Sequence, residues 1–273
     1  MTVLESTFNL DPRCVDEYER AGHTVVRGLI DRETLEPFRV EIEREVGEFA
    51  QSMAPIEDRD TYHQAFVQVP NLWQRSETIK EFVLAPRFAQ VAADLMQVEG
   101  VRLYHDQALS KEPGGGYTPW HQDQRYWPLD TTHTITMWMP LVDVPDEVGT
   151  MTFASGSHRH GELGPWVIGD ESEAGFAEIV EHLELPLHTH GALRAGDATF
   201  HLGWTLHRAP ANGTDLLRSV MTIIWFADGT RVGHVGPTSI FDHHIWLDQI
   251  PEGELAAGPL NPRLWPPSSW PGG

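Results

Sequence analysis

A histidine and an aspartate stand two residues apart in the segment KEPGGGYTPWHQDQRYWP, at residues 111–128. Alternate side chains of a β-strand point to the same face, so His121 and Asp123 can both face one point. A neutral imidazole nitrogen and a carboxylate oxygen suit a borderline divalent metal such as Fe(II). The triplet alone is a weak indication, because a surface turn or a hydrogen-bonded polar pair can have the same sequence.

A third ligand and a cation follow further along the chain. His207 lies 84 residues after Asp123, behind a turn–strand–turn pattern, and Arg218 lies 11 residues later at the start of RSVMTIIWF. If that run forms a strand beside His207, its arginine can meet a carboxylate through two parallel hydrogen bonds. The even offset of His201 from His207 does not by itself exclude His201. The strand and turn context and the arginine spacing favour His207.

This pattern of His121-x-Asp123, His207 and Arg218 resembles the phytanoyl-CoA dioxygenase family. Members of that family are Fe(II)- and 2-oxoglutarate-dependent oxygenases. The segments KEPGGGYTPWHQD, MWMPLVDV, GTMTFASGSHRHG and GDATFHLGWTLHRAP are also similar to the family, and the likeness covers roughly residues 20–228. The resemblance implies a mainly β fold with flanking helices, namely a double-stranded β-helix or cupin-like jelly-roll barrel.

The resemblance also implies a role for each residue of the pattern. His121, Asp123 and His207 would be the catalytic metal ligands that hold Fe(II). O2 would be the oxidant, and 2-oxoglutarate the cosubstrate. Asp123 also separates two activities within the class, because related halogenases lack this carboxylate. Its presence favours hydroxylation or another O2-driven oxidation over chlorination.

Further residues would bind the cosubstrate. By resemblance, Arg218 would pair with the distal carboxylate of 2-oxoglutarate. Gln107 and Trp138 match positions that contact the cosubstrate in relatives, although packed core is at least as good an interpretation of Trp138. Ala209 stands where relatives often carry a hydroxyl that bonds 2-oxoglutarate. This departure puts one contact in doubt, but not the site.

The implied reaction oxidises, most simply hydroxylates, an unactivated C–H bond of a small organic molecule and releases succinate and CO2. Aromatic residues near the triplet favour an apolar or polycyclic substrate, such as a secondary metabolite of antibiotic biosynthesis. Ring closure, desaturation and epimerisation by the same iron centre stay open. The alternatives of another kind are a Zn or Mn cupin-like isomerase or hydrolase and a non-catalytic protein that binds small molecules.

Charge and cysteine content limit the partners and the compartment. The chain has 40 acidic and 19 basic residues and a formal net charge of −21, which argues against nucleic acid and anionic membranes as partners. Cys14 is the single cysteine, so no intramolecular disulfide can form. Neither a signal peptide nor an apolar run of about 20 residues is evident, so we expect a cytoplasmic protein. The oligomeric state is not indicated.

We interpret residues 1–273 as a single oxygenase domain. Residues 1–100 are predicted to form a helical scaffold with a first strand over 23–30. In this scaffold, Asp31 is predicted to cap a helix that runs to about Ala50, residues 51–75 to be irregular, and residues 76–96 to be helical with a kink near Pro86. The region 101–228 is predicted to be the jelly-roll core, with short β-rich runs between Gly and Pro turns at 101–110, 134–142, 149–154, 187–194, 197–201 and 218–227. Its polar insertion 160–186 could equally be a lid or an ordinary surface excursion. The region 229–273 is predicted to be a tail that wraps the outside.

Overall fold

The structure is a computed structural model that describes residues 2–145 and 150–267. The α-helices are α1 (Pro12–Ala21), α2 (Arg32–Ala50), α3 (Thr61–Ala65), α4 (Glu77–Val83), α5 (Pro86–Met96), α6 (Asp170–His182) and α7 (Ile240–Trp246). The strands are β1 (His23–Val26), β2 (Val67–Pro70), β3 (Val101–Lys111), β4 (Thr118–His121), β5 (Thr134–Pro140), β6 (Thr152–Ala154), β7 (Leu187–Thr189), β8 (Ala198–Leu202), β9 (His207–Ala209), β10 (Arg218–Ala227) and β11 (Arg263–Trp265). In this part of the chain, we find no helix with the length and apolar character that crossing a membrane requires.

Two antiparallel sheets form the centre of the fold. The major sheet has the order β1-β8-β5-β10-β3-β11, and β2 also pairs with β3. The minor sheet has the order β4-β9-β6-β7. Consecutive strands alternate between the two sheets in several places, as in a jelly roll. This confirms the predicted mainly β fold with flanking helices.

The N-terminal helices cover one face of the major sheet. Asp31 caps α2 by accepting a hydrogen bond from the backbone of Thr34, which fits the helix start predicted from the sequence. Apolar side chains of α2, α4 and α5 pack with those of β3, β5, β8 and β10 in the largest core cluster. The helical pattern predicted over residues 76–96 is divided in two, because Pro86 begins α5 at a position where a missing N–H costs nothing.

Three predicted segments differ from the structure in detail. The stretch predicted to be irregular, 51–75, contains α3 and β2, and β2 pairs with the long strand β3. Of the strand predicted over 149–154, residues 152–154 are observed as β6, and residue 149 lies outside the described residues. The tail does more than wrap the outside, because β11 adds a strand to the major sheet and α7 reaches the cavity described next.

Candidate active site

A cavity of about 430 Å³ lies between the two sheets. Both sheets, the insertion and the tail contribute side chains to its wall. The residues predicted from the sequence all line this cavity: His121, Asp123, His207, Arg218, Gln107 and Trp138. The fold thus brings together residues that are up to 111 positions apart, from Gln107 to Arg218.

Two histidines face each other across neighbouring strands of the minor sheet. His121 ends β4, His207 begins β9, and the two are direct partners in the register. Their ring centres are 4.1 Å apart. Nδ1 of His121 lies 2.8 Å from the carbonyl oxygen of Pro119, and Nδ1 of His207 lies 2.9 Å from that of Thr205. Each Nδ1–H can therefore donate to a carbonyl, which leaves the Nε2 lone pair for a metal.

Asp123 completes a group of three side chains that could hold a metal ion. The backbone of Gln122 is extended, and a 3-10 helix begins at Asp123. The alternation of side chains along a strand, which the sequence predicted for this triplet, therefore extends only to Gln122. Oδ1 of Asp123 lies 3.6 Å from Nε2 of His121 and 3.8 Å from Nε2 of His207. An ion within about 2.0–2.2 Å of all three atoms fits these separations. We call His121, Asp123 and His207 the central triad.

The second carboxylate oxygen of Asp123 is held by its surroundings. Oδ2 accepts a hydrogen bond from the Thr136 hydroxyl at 3.1 Å and lies 3.1 Å from Nε2 of His201. His201 thus contacts the carboxylate and is outside the group of possible ligands. The contact with Thr136 could not be predicted from the sequence, because the 3-10 helix that begins at Asp123 and strand β5 meet only in the fold.

Burial and neighbouring charges set the protonation of the central triad. Burial, followed by the neighbouring His207, lowers the pKa of His121 to about 4. Burial and the neighbouring His201 do the same for the pKa of His207. Burial alone would raise the pKa of Asp123, but the histidines around it hold that pKa far below its ordinary range. Two neutral imidazoles and one carboxylate at neutral pH are a suitable donor set for Fe(II).

Gln122 fixes the backbone between two members of the central triad. Its amide nitrogen donates to the carbonyl oxygens of Gly161 and Trp204 at 2.8 and 2.7 Å. Its amide oxygen accepts from the backbone of Leu163 at 2.9 Å. This buried side chain therefore ties the triplet to the start of the insertion and to the turn before β9. This role could not be predicted from the sequence, because a glutamine between two candidate ligands gives no pattern of its own.

A buried arginine lines the same cavity. Arg218 is 2% exposed, and its guanidinium carbon lies 5.4 Å from the centre of the Trp138 ring. Burial lowers the pKa of Arg218 to about 10, so its side chain stays charged at neutral pH. A buried guanidinium at a cavity wall suits a carboxylate group of a ligand. Gln107 lines the same cavity, and its amide oxygen accepts a hydrogen bond from Gln68.

Thr118 places a hydroxyl in the cavity next to Ala209, the position at which relatives often carry a hydroxyl. Ala209 lines the cavity and is the register partner of Thr118 across β4 and β9. Thr118 lines the cavity as well and is buried. Thr118 therefore provides a hydroxyl on the strand next to Ala209, which has none.

The remaining wall is mainly aromatic, and of its members only Tyr126 and Trp127 belong to the aromatic residues near the triplet that the sequence indicated. Its apolar side chains come from four separate segments: Tyr62, Phe66, Tyr126, Trp127, Ile168, Phe241 and Trp246. His105 stacks on the Trp246 ring at 4.3 Å. Among these groups lies Asp242, which accepts a hydrogen bond from the Tyr104 hydroxyl at 3.3 Å. Burial raises the pKa of Asp242 to about 7.

The insertion is anchored to the strands that carry the two histidines of the central triad. Glu173 on α6 accepts hydrogen bonds from the backbone of Trp120 at 2.8 Å and from the Arg208 side chain at 2.7 Å. Each of these partners is next in sequence to a histidine of the central triad. Ile168 lines the cavity, and its backbone donates to the Tyr126 hydroxyl at 2.7 Å. The insertion therefore forms part of the cavity wall.

This combination of jelly roll, central triad and buried arginine defines a non-haem iron, 2-oxoglutarate-dependent oxygenase. Sequence comparison agrees, since the model of the family described as phytanoyl-CoA dioxygenase (PhyH) matches residues 18–220. The chain belongs to the phytanoyl-CoA dioxygenase family. No curated protein is similar enough in sequence to count as a match.

Solved structures of similar fold include two enzymes of nogalamycin biosynthesis. The non-heme alpha ketoglutarate dependent carbocyclase SnoK is 25% identical, with 93% of this chain and 96% of SnoK covered and a TM-score of 0.76. The epimerase SnoN, in complex with Fe3+, alpha ketoglutarate and nogalamycin RO, is 29% identical, with 93% and 100% covered and a TM-score of 0.73. EctD from S. alaskensis, with 2-oxoglutarate and 5-hydroxyectoine, is 16% identical, with 88% and 85% covered and a TM-score of 0.68. At that identity, EctD supports the fold alone.

The predicted family, fold and class of enzyme are thereby confirmed, with iron and 2-oxoglutarate as cofactor and cosubstrate and O2 as the oxidant of such dioxygenases. The assignment of individual residues to these groups stays a prediction. So do the cytoplasmic location and the division of the chain into scaffold, core and tail.

Proposed function

We propose that this enzyme oxidises a C–H bond of a small, largely apolar organic molecule such as a secondary metabolite, most simply by hydroxylation. 2-Oxoglutarate would be converted into succinate and CO2 in the same reaction. The observation that carries this proposal is that the central triad and a buried arginine line one cavity. A metal site for hydrolysis alone gives no reason to bury a guanidinium in the same cavity.

The central triad would hold the iron. With 2-oxoglutarate bound, the iron would supply the O2-dependent oxidation of an unactivated C–H bond. His121 and His207 contribute neutral Nε2 atoms, because their Nδ1 atoms face backbone carbonyls. Asp123 contributes Oδ1, because Thr136 and His201 occupy Oδ2. Three protein ligands leave the ion open to further ligands, which cosubstrate binding requires.

Arg218 would orient 2-oxoglutarate by binding its distal carboxylate. A buried guanidinium attracts a carboxylate more strongly than an exposed one, since little water screens the pair. The hydroxyl of Thr118 would donate to the same carboxylate and replace the hydroxyl that Ala209 lacks. Gln107 and Trp138 would border the cosubstrate from the major sheet.

The aromatic part of the cavity would bind the substrate. Its side chains exclude water and offer flat apolar surfaces, which suits a ring system. Asp242 is the buried carboxylate within this part, so we infer that it accepts a hydrogen bond from a hydroxyl or amine group of the substrate. Such a bond would fix which carbon of the substrate faces the iron.

A second candidate reaction is oxidative ring closure or epimerisation at the same site. It is favoured by the similarity to SnoK, a carbocyclase, and to SnoN, an epimerase, at 25% and 29% identity over 93% of this chain. Both reactions would use the same metal ligands and the same arginine. They differ from hydroxylation only in what happens to the substrate after its C–H bond is broken.

The test is turnover of a panel of polycyclic aromatic compounds with Fe(II), 2-oxoglutarate and O2, followed by mass spectrometry and succinate measurement. A product that gains one oxygen atom indicates hydroxylation, and one that loses two hydrogen atoms indicates ring closure or desaturation. An isomer of unchanged mass indicates epimerisation. Product formed without O2 and 2-oxoglutarate would contradict the proposal and favour a metal-dependent isomerase or hydrolase.

A further inference from the structure

A second group of metal-binding side chains lies away from the cavity. It consists of Glu17 on α1, His188 on β7 and His190 just after β7, and we call these three residues the edge triad. One donor atom from each lies within 4.8 Å of the others. His188 is exposed, and the other two are half-buried. None of the three lines the cavity of the central triad.

The edge triad stands where the outer strands of the two sheets meet. β1 is the first strand of the major sheet, and β7 is the last strand of the minor sheet. His188 and His190 are two residues apart at the end of a strand, a spacing that lets both side chains face the same side. Arg27, just after β1, donates to the carbonyl oxygen of His190 at 2.6 Å and so holds the two edges together.

Neighbouring side chains hold two of the three donors in place. The Thr24 hydroxyl donates to Oε2 of Glu17 at 2.7 Å, which leaves Oε1 for another partner. Nε2 of His190 lies 3.0 Å from Nδ1 of His23, whose Nε2 lies 2.8 Å from the Ser155 hydroxyl. His23 is buried and stacks on Phe153 at 4.5 Å. Hydrogen bonds from a second layer of residues that orient the ligands are typical of metal sites in proteins.

The donor atoms of the edge triad lie close together, yet the described part of the chain has no salt bridge between its glutamate and its histidines. Within residues 2–145 and 150–267, Glu17 forms no salt bridge with His188 or His190, although their donor atoms are within 4.8 Å. A group held this way has room for an ion between its members. Two imidazoles and one carboxylate suit Zn²⁺ and other late first-row divalent ions better than Mg²⁺ or Ca²⁺.

We propose that the edge triad is a second metal site, which binds a divalent transition ion such as Zn²⁺ and ties α1 to the outer strand of the minor sheet. The ion would link a helix of the N-terminal scaffold to the sheet that carries two members of the central triad. It would stabilise this junction without contact with the cavity. The edge triad takes no part in the proposed reaction. A failure of the metal-site proposal would therefore leave the proposed function unaffected, and the reverse also holds.

The experiment is titration of the metal-free protein with Zn²⁺ by isothermal calorimetry. In the Asp123→Ala/His207→Ala background, which disables the central triad, we expect one Zn²⁺ per chain and a higher melting temperature with Zn²⁺. Adding Glu17→Gln and His188→Ala should abolish both effects, whereas His133→Ala, at an exposed histidine elsewhere, should change neither. Zinc binding that persists unchanged after Glu17→Gln/His188→Ala, or is absent from the folded background, would overturn the proposal.

A second measurement covers the case in which the background variant does not fold. The wild-type chain should bind two Zn²⁺ ions, and Glu17→Gln/His188→Ala, in which the central triad is intact, should bind one. That variant should also keep wild-type succinate formation with Fe(II) and 2-oxoglutarate. Equal stoichiometry in the two proteins would refute the edge site and leave the proposed function untouched.

Discussion

The central triad and the edge triad have the same chemical composition, two histidines and one carboxylate, and both draw histidines from the minor sheet. They differ in their surroundings. The central triad opens onto a cavity of about 430 Å³ that also contains a buried arginine. The edge triad lies at the outside of the barrel, and one of its histidines is exposed.

The difference shows that donor atoms alone do not make an active site. A metal held at the edge would meet solvent and has no enclosed space for a cosubstrate. A metal held by the central triad would share its cavity with a charged group for a dicarboxylate and with aromatic walls for a substrate. We therefore expect oxidation at the central triad and a structural ion at the edge triad.

The largest expected effect separates the two groups directly. Asp123→Ala should reduce substrate oxidation and succinate formation by more than about 100-fold, because removing a metal ligand exceeds the usual cost of changing its neighbours. Glu17→Ala, the matched change in the edge triad, should leave both rates unchanged. The measurement is succinate release with Fe(II) and O2. Comparable losses in the two variants would erase the distinction between the groups.

The next effect tests the arginine that only the central cavity contains. Arg218→Ala should lower kcat/KM for 2-oxoglutarate by about 30- to 1000-fold, since it removes one partner of a buried charge pair. Arg218→Lys should recover little, because an ammonium cannot form two parallel hydrogen bonds. Arg159→Ala, at an exposed arginine, is the control. An unchanged KM for 2-oxoglutarate in Arg218→Ala would remove the arginine from the site.

A smaller effect concerns the residues that orient Asp123. His201→Gln should weaken Fe(II) binding by about 10-fold, because such orienting contacts typically contribute about 10- to 100-fold to metal affinity. Thr136→Val, which removes the second contact to Oδ2, should act in the same direction. Competition with a chromophoric chelator measures the affinity. Complete loss of iron in His201→Gln, equal to that in His207→Ala, would instead identify His201 as a ligand.

The smallest effect is a pH dependence of stability that arises from the aromatic part of the cavity. Asp242 has its pKa raised by burial from 3.8 to about 7, so the folded protein keeps a proton that the unfolded chain releases between those values. The free energy of unfolding should therefore fall as pH rises from about 4 to about 7. Asp242→Asn lacks this loss and should be more stable than wild type at pH 8, by the order of 1–3 kcal/mol, with no gain near pH 4.

Urea denaturation of both metal-free proteins across this pH range measures that difference. Asp215→Asn, at an exposed aspartate outside the cavity, is the control and should give no such pH-dependent difference. A stability difference between wild type and Asp242→Asn that does not change with pH would contradict the assigned titration.

The sequence predicted most of what is local or shared with relatives. The helix start at Asp31 and the strand at residues 218–227 follow from capping and from apolar runs, and both are observed. The family pattern gave the candidate ligands and the arginine that the fold collects in one cavity. The small strand β2 was missed, because its four residues are stabilised by pairing with β3 and not by their own pattern.

Other parts of the site could not be predicted, because they depend on contacts between distant segments. Asp242 and Trp246 come from the tail, and no spacing relates them to the central triad. Thr136 and His201 become partners of Asp123 only after β5 and β8 pair. The same holds for the edge triad, whose glutamate and histidines are more than 170 residues apart.

The most direct test of the central claim is the visible spectrum of the metal-free protein after addition of Fe(II) and 2-oxoglutarate without oxygen. We expect a weak charge-transfer band that needs both additions, is lost in His207→Ala and Arg218→Ala, and persists in Glu17→Gln/His188→Ala. A folded, iron-loaded wild-type protein that gives no band with 2-oxoglutarate, or a band that survives His207→Ala, would contradict the assignment of the central triad as the oxygenase site.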